Sequence, residues 1–476
     1  MKRNFGKRLL FFLLALGFAS VLSANTRIRV LGLSATSSKD PGFDLTCLLD
    51  GSCKAGWEPG LIGSGAEEGV SILFEKPVTC GEIRIQGQGD FEVSANGGAL
   101  TRDGQTFSWG NEKLYVKSLF VHVGANPQGA TILKGIQLVE LGRILSIQKP
   151  LIVSAEVHAE NILSPEMAYG PFRLFDSKAE FGMALDGKKI DPKKPVKLFD
   201  LTFKDPIKLN GFFFWNGYQR SKMHYEANAR PKKLTVKSDA SSAEYALHDE
   251  MDSQWLALPD TFGAIKNLKF EAKDVWPGGT YKDLVVSELT FVTDQDQILL
   301  LNIKRPVAEV DGDLKPVIDK ALKTVFGESK GVFMITKFRS DGTFAAFKET
   351  LAHDKNNQPV RSIWEGNWER AGKSKIKVFG RAYNSVVQMV YGVYGQSEVE
   401  ASEPKIFHTT ISIKRPQDLG AADRDRLYKF AKATYDAGGL PKGQKEFWDG
   451  LAKQNEVVFI ESNLFSDFVA PESVSK

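Results

Sequence analysis

Apolar positions along this chain come in short runs, some strictly alternating with polar residues and some wholly apolar, broken at close intervals by Gly, Asn, Asp and Pro. Val70–Phe74, Glu82–Gln86, Leu114–Val123 and Gly135–Leu141 are such runs in the first third. Phe212–Trp215, Lys233–Lys237 and Leu284–Phe291 continue the pattern in the middle. A period of two over strand length, bounded by turn residues, predicts antiparallel strands that bury one face, and many in succession predict β-sandwiches. The apolar half of the stretch Leu209–Ser238, the run Phe212-Phe213-Phe214-Trp215, is assigned to a core.

Past Arg305-Pro306 the pattern changes. Asp313–Phe326 carries Leu314, Val317, Ile318, Ala321, Leu322 and Val325 at helical spacing and predicts a short amphipathic helix. Strand-like runs follow at Val332–Phe338, Thr343–Phe347, Ser362–Glu369, Ile376–Phe379, Val386–Val393 and Ile406–Lys414, with a turn at Ser340-Asp341-Gly342. Hairpins at that spacing predict a small β-barrel or meander. Asp341-Gly342-Thr343-Phe344 with Trp364-Glu365-Gly366-Asn367-Trp368 resembles lipocalin-like barrels, in which Gly-x-Trp closes one end, and a filled barrel is expected over a ligand cavity. After Pro416 the composition turns helical: Asp423–Ala437, ended by Gly438-Gly439, then Lys442–Lys453, with a last strand at Val457–Glu461.

Two landmarks recur. Leu49-Asp50-Gly51 with Gly56-Trp57 is answered by Phe175-Asp176-Ser177 with Phe181-Gly182. Phe74-Glu75-Lys76-Pro77 is answered, at nearly the same spacing, by Phe203-Lys204-Asp205-Pro206. Two copies of one fold explain the recurrence. The predicted organisation is therefore a mostly β chain: a leader at 1–24, a sandwich at 25–148, a second at 149–305, a barrel or meander with short helices at 306–415, and a helical segment at 416–476.

Lys2, Arg3, Lys7 and Arg8 precede an apolar run from Leu9 to Leu22 that ends in Ser23-Ala24. A basic start, a short apolar stretch and small residues at its exit predict a cleaved secretory signal, too short for a span of about 20 residues. Export to a periplasm, an outer surface or the extracellular space follows, with no transmembrane span in the mature chain. Loss of the leader's four basic residues from the 62 in the chain leaves 58, equal to the 58 acidic ones. That balance removes the electrostatic case for a nucleic-acid partner. Three cysteines, Cys47, Cys53 and Cys80, allow one disulfide in an oxidising compartment and leave one thiol over; a pair at 47 and 53 would staple a local loop.

Chemistry is sparse. The six histidines (His122, His158, His224, His248, His353 and His408) show no metal-ligand spacing, and no Gly-x-Ser-x-Gly elbow is present. Gly60–Gly69 lacks the Lys-Ser/Thr ending of a phosphate loop and leads into a strand, so it reads as a surface loop. No catalytic residue, cofactor or dedicated metal site is nominated. Structural calcium at the matching Asp50 and Asp176 competes with a simple Asx turn at each. The densest mixture of aromatic and polar residues is the loop after Trp215, and Asn216, Tyr218, Gln219, Arg220, Asn228 and Arg230 are its candidate ligand-binding residues. Aromatic faces stack on apolar surfaces while amides and guanidinium groups satisfy hydroxyls.

The runs Gly217-Tyr218-Gln219-Arg220-Ser221, Asn228-Ala229-Arg230-Pro231-Lys232-Lys233-Leu234 and Tyr281–Leu289, opened by Leu174-Phe175-Asp176, resemble the discoidin-like NAD-glycohydrolase translocation, or NADase-type glycan-binding, family. The resemblance covers 150–295 and, more weakly, 30–145, where no counterpart of the Gly-Tyr-Gln-Arg-Ser loop exists. It implies jelly-roll β-sandwiches that recognise a glycan or another cell-surface or envelope component and have no activity of their own. The competing expectation is a structural scaffold of the envelope that makes protein–protein contacts.

Overall fold

A computed structural model describes residues 27–40, 42–59, 68–110, 112–123, 131–191, 193–304, 312, 314–315, 317–325, 333–340, 342–353, 359–390, 393–398, 405–414, 420–422 and 457–461. The leader, most of the Gly60–Gly69 loop and the helices expected at 423–437 and 442–453 lie outside these residues. The chain is mostly β, as its hydrophobic pattern predicts.

The first sandwich has two sheets. Ile28–Ala35, Gly69–Cys80, Leu114–Val123, Phe91–Ala95, Gly98–Ala99 and Ile147–Gln148 make one; Glu82–Gln88, Ile132–Glu140, Arg143–Ile144, Thr106–Ser108 and Thr101–Asp103 make the other. Alternate residues such as Val70, Ile72 and Phe74 point inward and meet Ile83, Ile136 and Leu138 around a fully buried Trp57. Cys47 and Cys53 are disulfide-bonded with their Cα atoms 4.9 Å apart, inside the usual range for a bridge. Cys80 is a buried free thiol.

The second sandwich repeats this plan with one long strand in place of two. Val196–Asn216 runs for 21 residues and changes partners midway. Its first part pairs with Leu151–His158 and Ala264–Trp276, its last part with Leu284–Thr293 and Ser253–Ala257. The register breaks between Thr202 and Ile207, around Pro206, whose ring nitrogen has no proton to donate to a ladder. The first sandwich breaks register between Leu73 and Val78, around Pro77. The repeated Phe-x-x-Pro landmark is thus a bulge at the same place in both sandwiches: pairing with the same neighbour resumes at Val78–Cys80 and at Ile207–Lys208 before the chain turns to its next partner. The 3₁₀ turns Leu45–Leu49 and Pro171–Phe175 also correspond, each followed by an Asp and then a residue at positive φ, Gly51 at 69° and Ser177 at 57°.

The apolar run divides by parity. Phe212 and Phe214 fill the inner core with Phe270 and Phe291. Phe213 and Trp215 face outward and are buried against Leu31 of the first sandwich, with Val292 and Ile298. Thr290 Oγ1 donates to Leu31 O at 3.0 Å, and Arg29, paired with Glu75 of its own sandwich, reaches Asp296 across the same junction.

The barrel is closed. Lys320–Val325, Phe333–Phe338, Thr343–His353, Pro359–Gly372, Lys375–Val390, Lys405–Lys414 and Val457–Glu461 form a ring sealed by pairing of Pro359–Gly372 with Lys375–Val390, while Val393–Glu398 adds to the far half of the latter. Trp364 and Trp368 are buried, and Trp368 Nε1 donates to Arg339 O at 2.7 Å across one end. One expectation is corrected here. Asp313–Phe326 is not a helix: a single turn holds Val317 N to Leu314 O, then Asp319 at φ 57° ends it and Lys320–Val325 enters the barrel. The apolar spacing was real, since Leu314, Val317 and Ile318 are buried, but pairing with strands on both sides outweighs a helical period over so short a segment. The last strand expected at Val457–Glu461 is present and lies in the barrel between Lys320–Val325 and Lys405–Lys414.

Candidate functional site

The loop nominated by the sequence lies at the end of the second sandwich opposite to that at which Leu151–His158 begins. Gly217, at φ 68°, turns the backbone so tightly that a Cβ would sit 2.7 Å from the Tyr225 ring. Ser221 then caps a short helix, Lys222–Ala227, accepting from His224 N and bonding its ring at 2.8 Å. Asn228 Nδ2 donates to His224 O at 2.8 Å and closes the helix. The 277–283 loop is fastened to that helix: Gly279 N, Thr280 N and Tyr281 N donate to Glu226 O, Ala227 O and Ala227 O.

The six candidate side chains do come together, but inward. Asn216 is fully buried and donates to Pro231 O at 2.8 Å. Tyr218 packs with Ala184 and Val285, edge-on to His224. Gln219, half-buried, donates from Nε2 to Asn216 O at 2.6 Å, while its backbone N donates to Ser287 Oγ. Arg220 donates to Glu180 O and lies over the rings of Phe181 and Tyr218, 5.0 and 5.3 Å away. Arg230 holds Asp249 through two bonds, 2.5 and 2.7 Å, and lies over Tyr225 at 4.6 Å. An exposed polar patch made by these side chains is therefore not what the structure presents. They bond to the backbone and rings around them because a loop this large must satisfy its own polar groups before it can hold one shape.

Electrostatics agree with that role. Hydrogen bonds from Arg230 hold the Asp249 carboxyl below the usual carboxylate range against the opposing effect of burial. Burial pushes the Tyr225 hydroxyl up, as does its bond to Asp249. Arg230 itself is raised: burial works to lower it, but the Asp249 bonds win.

A second buried node escaped the sequence reading. Arg173, on the Pro171–Phe175 turn, pairs with Asp176 at 3.1 Å with both side chains out of water. Its guanidinium lies over Phe172 and Phe181, and Nη2 donates to Met167 O. Phe181 thereby sits between two guanidinium groups, those of Arg173 and Arg220. The Leu-Phe-Asp landmark pointed to the place, but an arginine just before an apolar pair carries no signal of its partner. Asp176 Oδ1 also accepts from Lys178 N, and Asp50 Oδ1 from Ser52 N, so both form Asx turns; each carboxylate faces a cation, Arg173 and Lys149 respectively. Among the described residues no group of three or more His, Cys, Asp or Glu converges to hold a metal ion.

What this end shows to solvent is a different set. Lys222 and Glu226 are exposed on the helix, and Tyr281 is 48% exposed on the loop clipped to it. A half-exposed tyrosine on a rigid backbone offers a ring face at little cost in side-chain entropy, and Lys222 and Glu226 pair with each other at 3.7 Å on the helix to which its loop is fastened. The sequence reading passed over Tyr281 because it stands one strand away from the dense loop, at the mouth of Leu284–Thr293.

Residues 197–292 match the family of NAD glycohydrolase translocation F5/8 type C domains. The matched span lies within the second sandwich and includes all six candidates and Tyr281. Comparison with curated proteins found no match. Among solved structures, the arabinofuranosyltransferase AftD from Mycobacteria is similar at 10% identity and a TM-score of 0.23, over 86% of this chain and 43% of that one. This chain thus spans less than half the length of AftD. The GH31 CBM32-2 domain bound to GalNAc is similar at 16% identity and a TM-score of 0.21, over 29% of this chain and 97% of that one. The CBM32-1 and CBM32-2 domains of Clostridium perfringens ZmpB in complex with GalNAc are similar at 9% identity and a TM-score of 0.20, over 56% and 90% respectively.

Proposed function

We propose that this chain is an exported, non-catalytic recognition protein that binds carbohydrate at the loop end of the second sandwich, with Tyr281 as the stacking residue and Lys222 and Glu226 as polar neighbours. The observation that carries the reading is Tyr281 itself, half-exposed on a loop that three backbone hydrogen bonds fix to a capped helix, inside the span that matches a discoidin-type family. The buried residues Asn216, Tyr218, Arg220, Asn228 and Arg230 act as the frame that sets the position of that rim. Export is supported by the basic and apolar leader and by a disulfide suited to an oxidising compartment. A glycan array probed with the full chain and with Tyr281→Ala tests the reading. Binding that the substitution abolishes supports it, and binding to no glycan rejects it.

A second reading, a structural component of the cell envelope that makes protein–protein contacts, rests on the balanced charge of the chain without its leader and on its abundant aromatic residues. Crosslinking in intact cells separates the two: a stoichiometric protein neighbour favours scaffolding, a polysaccharide favours recognition.

A further inference from the structure

The connection between the two sandwiches keeps apolar side chains in water. Leu141, Ile144, Leu151 and Ile152 are the exposed leucines and isoleucines among the described residues, and all of them fall within residues 141–152. Leu141 is the most exposed of them, at 87%. It opens the turn Leu141-Gly142, at φ 50° and 76°, which joins Glu140 to its pairing partner Arg143. A two-residue hairpin turn with both residues at positive φ favours Asn or Asp before its Gly. Leucine in that place is strained and buries nothing, so the fold itself gains nothing from it.

Register places these side chains at one end of the paired sandwiches. In the first, Gly81 N donates to Val139 O at 2.8 Å, so the Leu141–Ile144 hairpin stands where Gly69–Cys80 finishes. In the second, Leu151 and Ile152 pair with Leu299 and Leu300, just past the 294–297 turn. The two ends face the same way, because Ile28–Ala35 runs in step along the second sandwich. Arg29 reaches Asp296 of that turn, Leu31 O accepts from Thr290, and Ser34 Oγ donates at 3.4 Å to Ser177 O, next to the residue whose N donates to Glu288. The Tyr281 rim and the ion pair of Glu68 with Lys337 of the barrel lie at the opposite end.

We propose that residues 141–152 rest the exported chain on an anionic lipid surface, with Leu141 and Ile144 among the headgroups, Arg143 against lipid phosphates and the Tyr281 rim facing away from the bilayer. Two further observations select lipid as the occupant. From Leu141 to Ala155 the chain carries Arg143 and Lys149 and no acidic residue, while the adjoining Glu140 and Glu82 are held by Lys113 and Arg84. Apolar tips flanked by cations suit an anionic interface. The other observation is the place where the leader joins. Ile28 pairs in parallel with Ile147, inside this segment, and the apolar run Leu9–Leu22 precedes it closely. Residues 23–27 reach at most about 18 Å, less than the roughly 26 Å of the strand Ile28–Ala35. The bilayer that takes the leader during export is thus beside this end and not the other.

The test uses the exported chain after loss of its leader, so that the apolar run cannot itself bind. Co-sedimentation with vesicles of phosphatidylcholine, alone or mixed with phosphatidylglycerol, reads the contact. Leu141→Asn with Ile144→Thr removes the apolar tip and gives the turn a residue that suits it, so Tm should hold or rise. Binding to the mixed vesicles should weaken about tenfold or more in that variant. Arg143→Gln should cost about fivefold, on the mixed vesicles alone. Met251→Ser, which removes an exposed apolar side chain elsewhere, should change nothing. No binding to either vesicle, or full binding by the double variant, overturns the proposal. Equal losses in Met251→Ser and the double variant overturn it too, as nonspecific adhesion. Sedimentation velocity without lipid reads the rival occupant: a dimer that the double variant dissolves, with no vesicle binding, assigns the face to a second copy of the chain and overturns the lipid surface.

Discussion

Replacing Arg230 by alanine separates a framework role from a ligand contact. Its guanidinium holds Asp249 through bonds of 2.5 and 2.7 Å, lies over Tyr225, and donates to the carbonyls of Tyr225 and Asn228 at 3.5 and 3.4 Å. Removing one partner of a fully buried pair costs about 3–5 kcal/mol. Here the Asp249 side chain is 37% exposed and can be re-solvated, so the ionic share falls to about 1–2 kcal/mol. Loss of the ring contact adds about 0.5–1 kcal/mol. The total, about 2–3 kcal/mol, corresponds to a fall in Tm of about 4–12 °C for a domain of this size. Asp249→Ala should reproduce most of the ionic loss, and the double variant should cost clearly less than the sum of the two. Because Asp249 titrates below its unfolded value, the coupling is fully present above the ordinary carboxylate pKa of about 4 and fades as pH falls through the lower folded value. Differential scanning calorimetry of the four proteins at neutral and acidic pH is the assay. A Tm unchanged by Arg230→Ala, together with loss of glycan binding, would refute the framework role.

Three further outcomes follow from the same geometry. Asp176→Ala leaves Arg173 buried without its carboxylate and should destabilise the chain by about 3–5 kcal/mol in denaturant unfolding, more than Arg230→Ala, since both ions of this pair are out of water. Burial pushes the Cys80 thiol up to about 11, so it should resist alkylation at neutral pH in the folded chain and react readily once denatured, followed by mass spectrometry. For Glu68, burial raises the carboxyl most of any single influence, but Arg339, Lys337 and the Ser37 hydroxyl together hold it below its ordinary range. The stability it contributes is thus present above the unfolded pKa of about 4.3 and lost as pH falls through the lower folded value, so the gap in urea midpoint between the unmodified chain and Glu68→Gln should close on acidification.

The fold was legible where one local rule decided the outcome. Strand runs and turns were readable because a period of two and a glycine at positive φ leave few alternatives. The Phe-x-x-Pro landmark pointed to the duplication because a proline inside a paired strand, lacking an N–H, favours a bulge, here at the same place in both copies. Asp313–Phe326 misled because its apolar spacing suited one buried turn and gave no sign of the strand partners waiting for Lys320–Val325. The loop after Trp215 was correctly singled out as special, but its composition could not say which way its side chains face. Arg220 and Arg230 turn inward because rings and a carboxylate far along the chain, Phe181 and Asp249, are there to receive them. Tyr281 was hidden for the opposite reason, since its exposure depends on three backbone bonds to a helix more than fifty residues earlier.

The most direct test is the affinity of the full chain for its best array glycan, measured by calorimetry for the unmodified protein, Tyr281→Ala and Arg230→Ala. Tyr281→Ala should weaken binding about tenfold or more, about 1.4 kcal/mol, with Tm unchanged, and Arg230→Ala should lower Tm first and affinity only through it. Full affinity in Tyr281→Ala would contradict a stacking role for this ring.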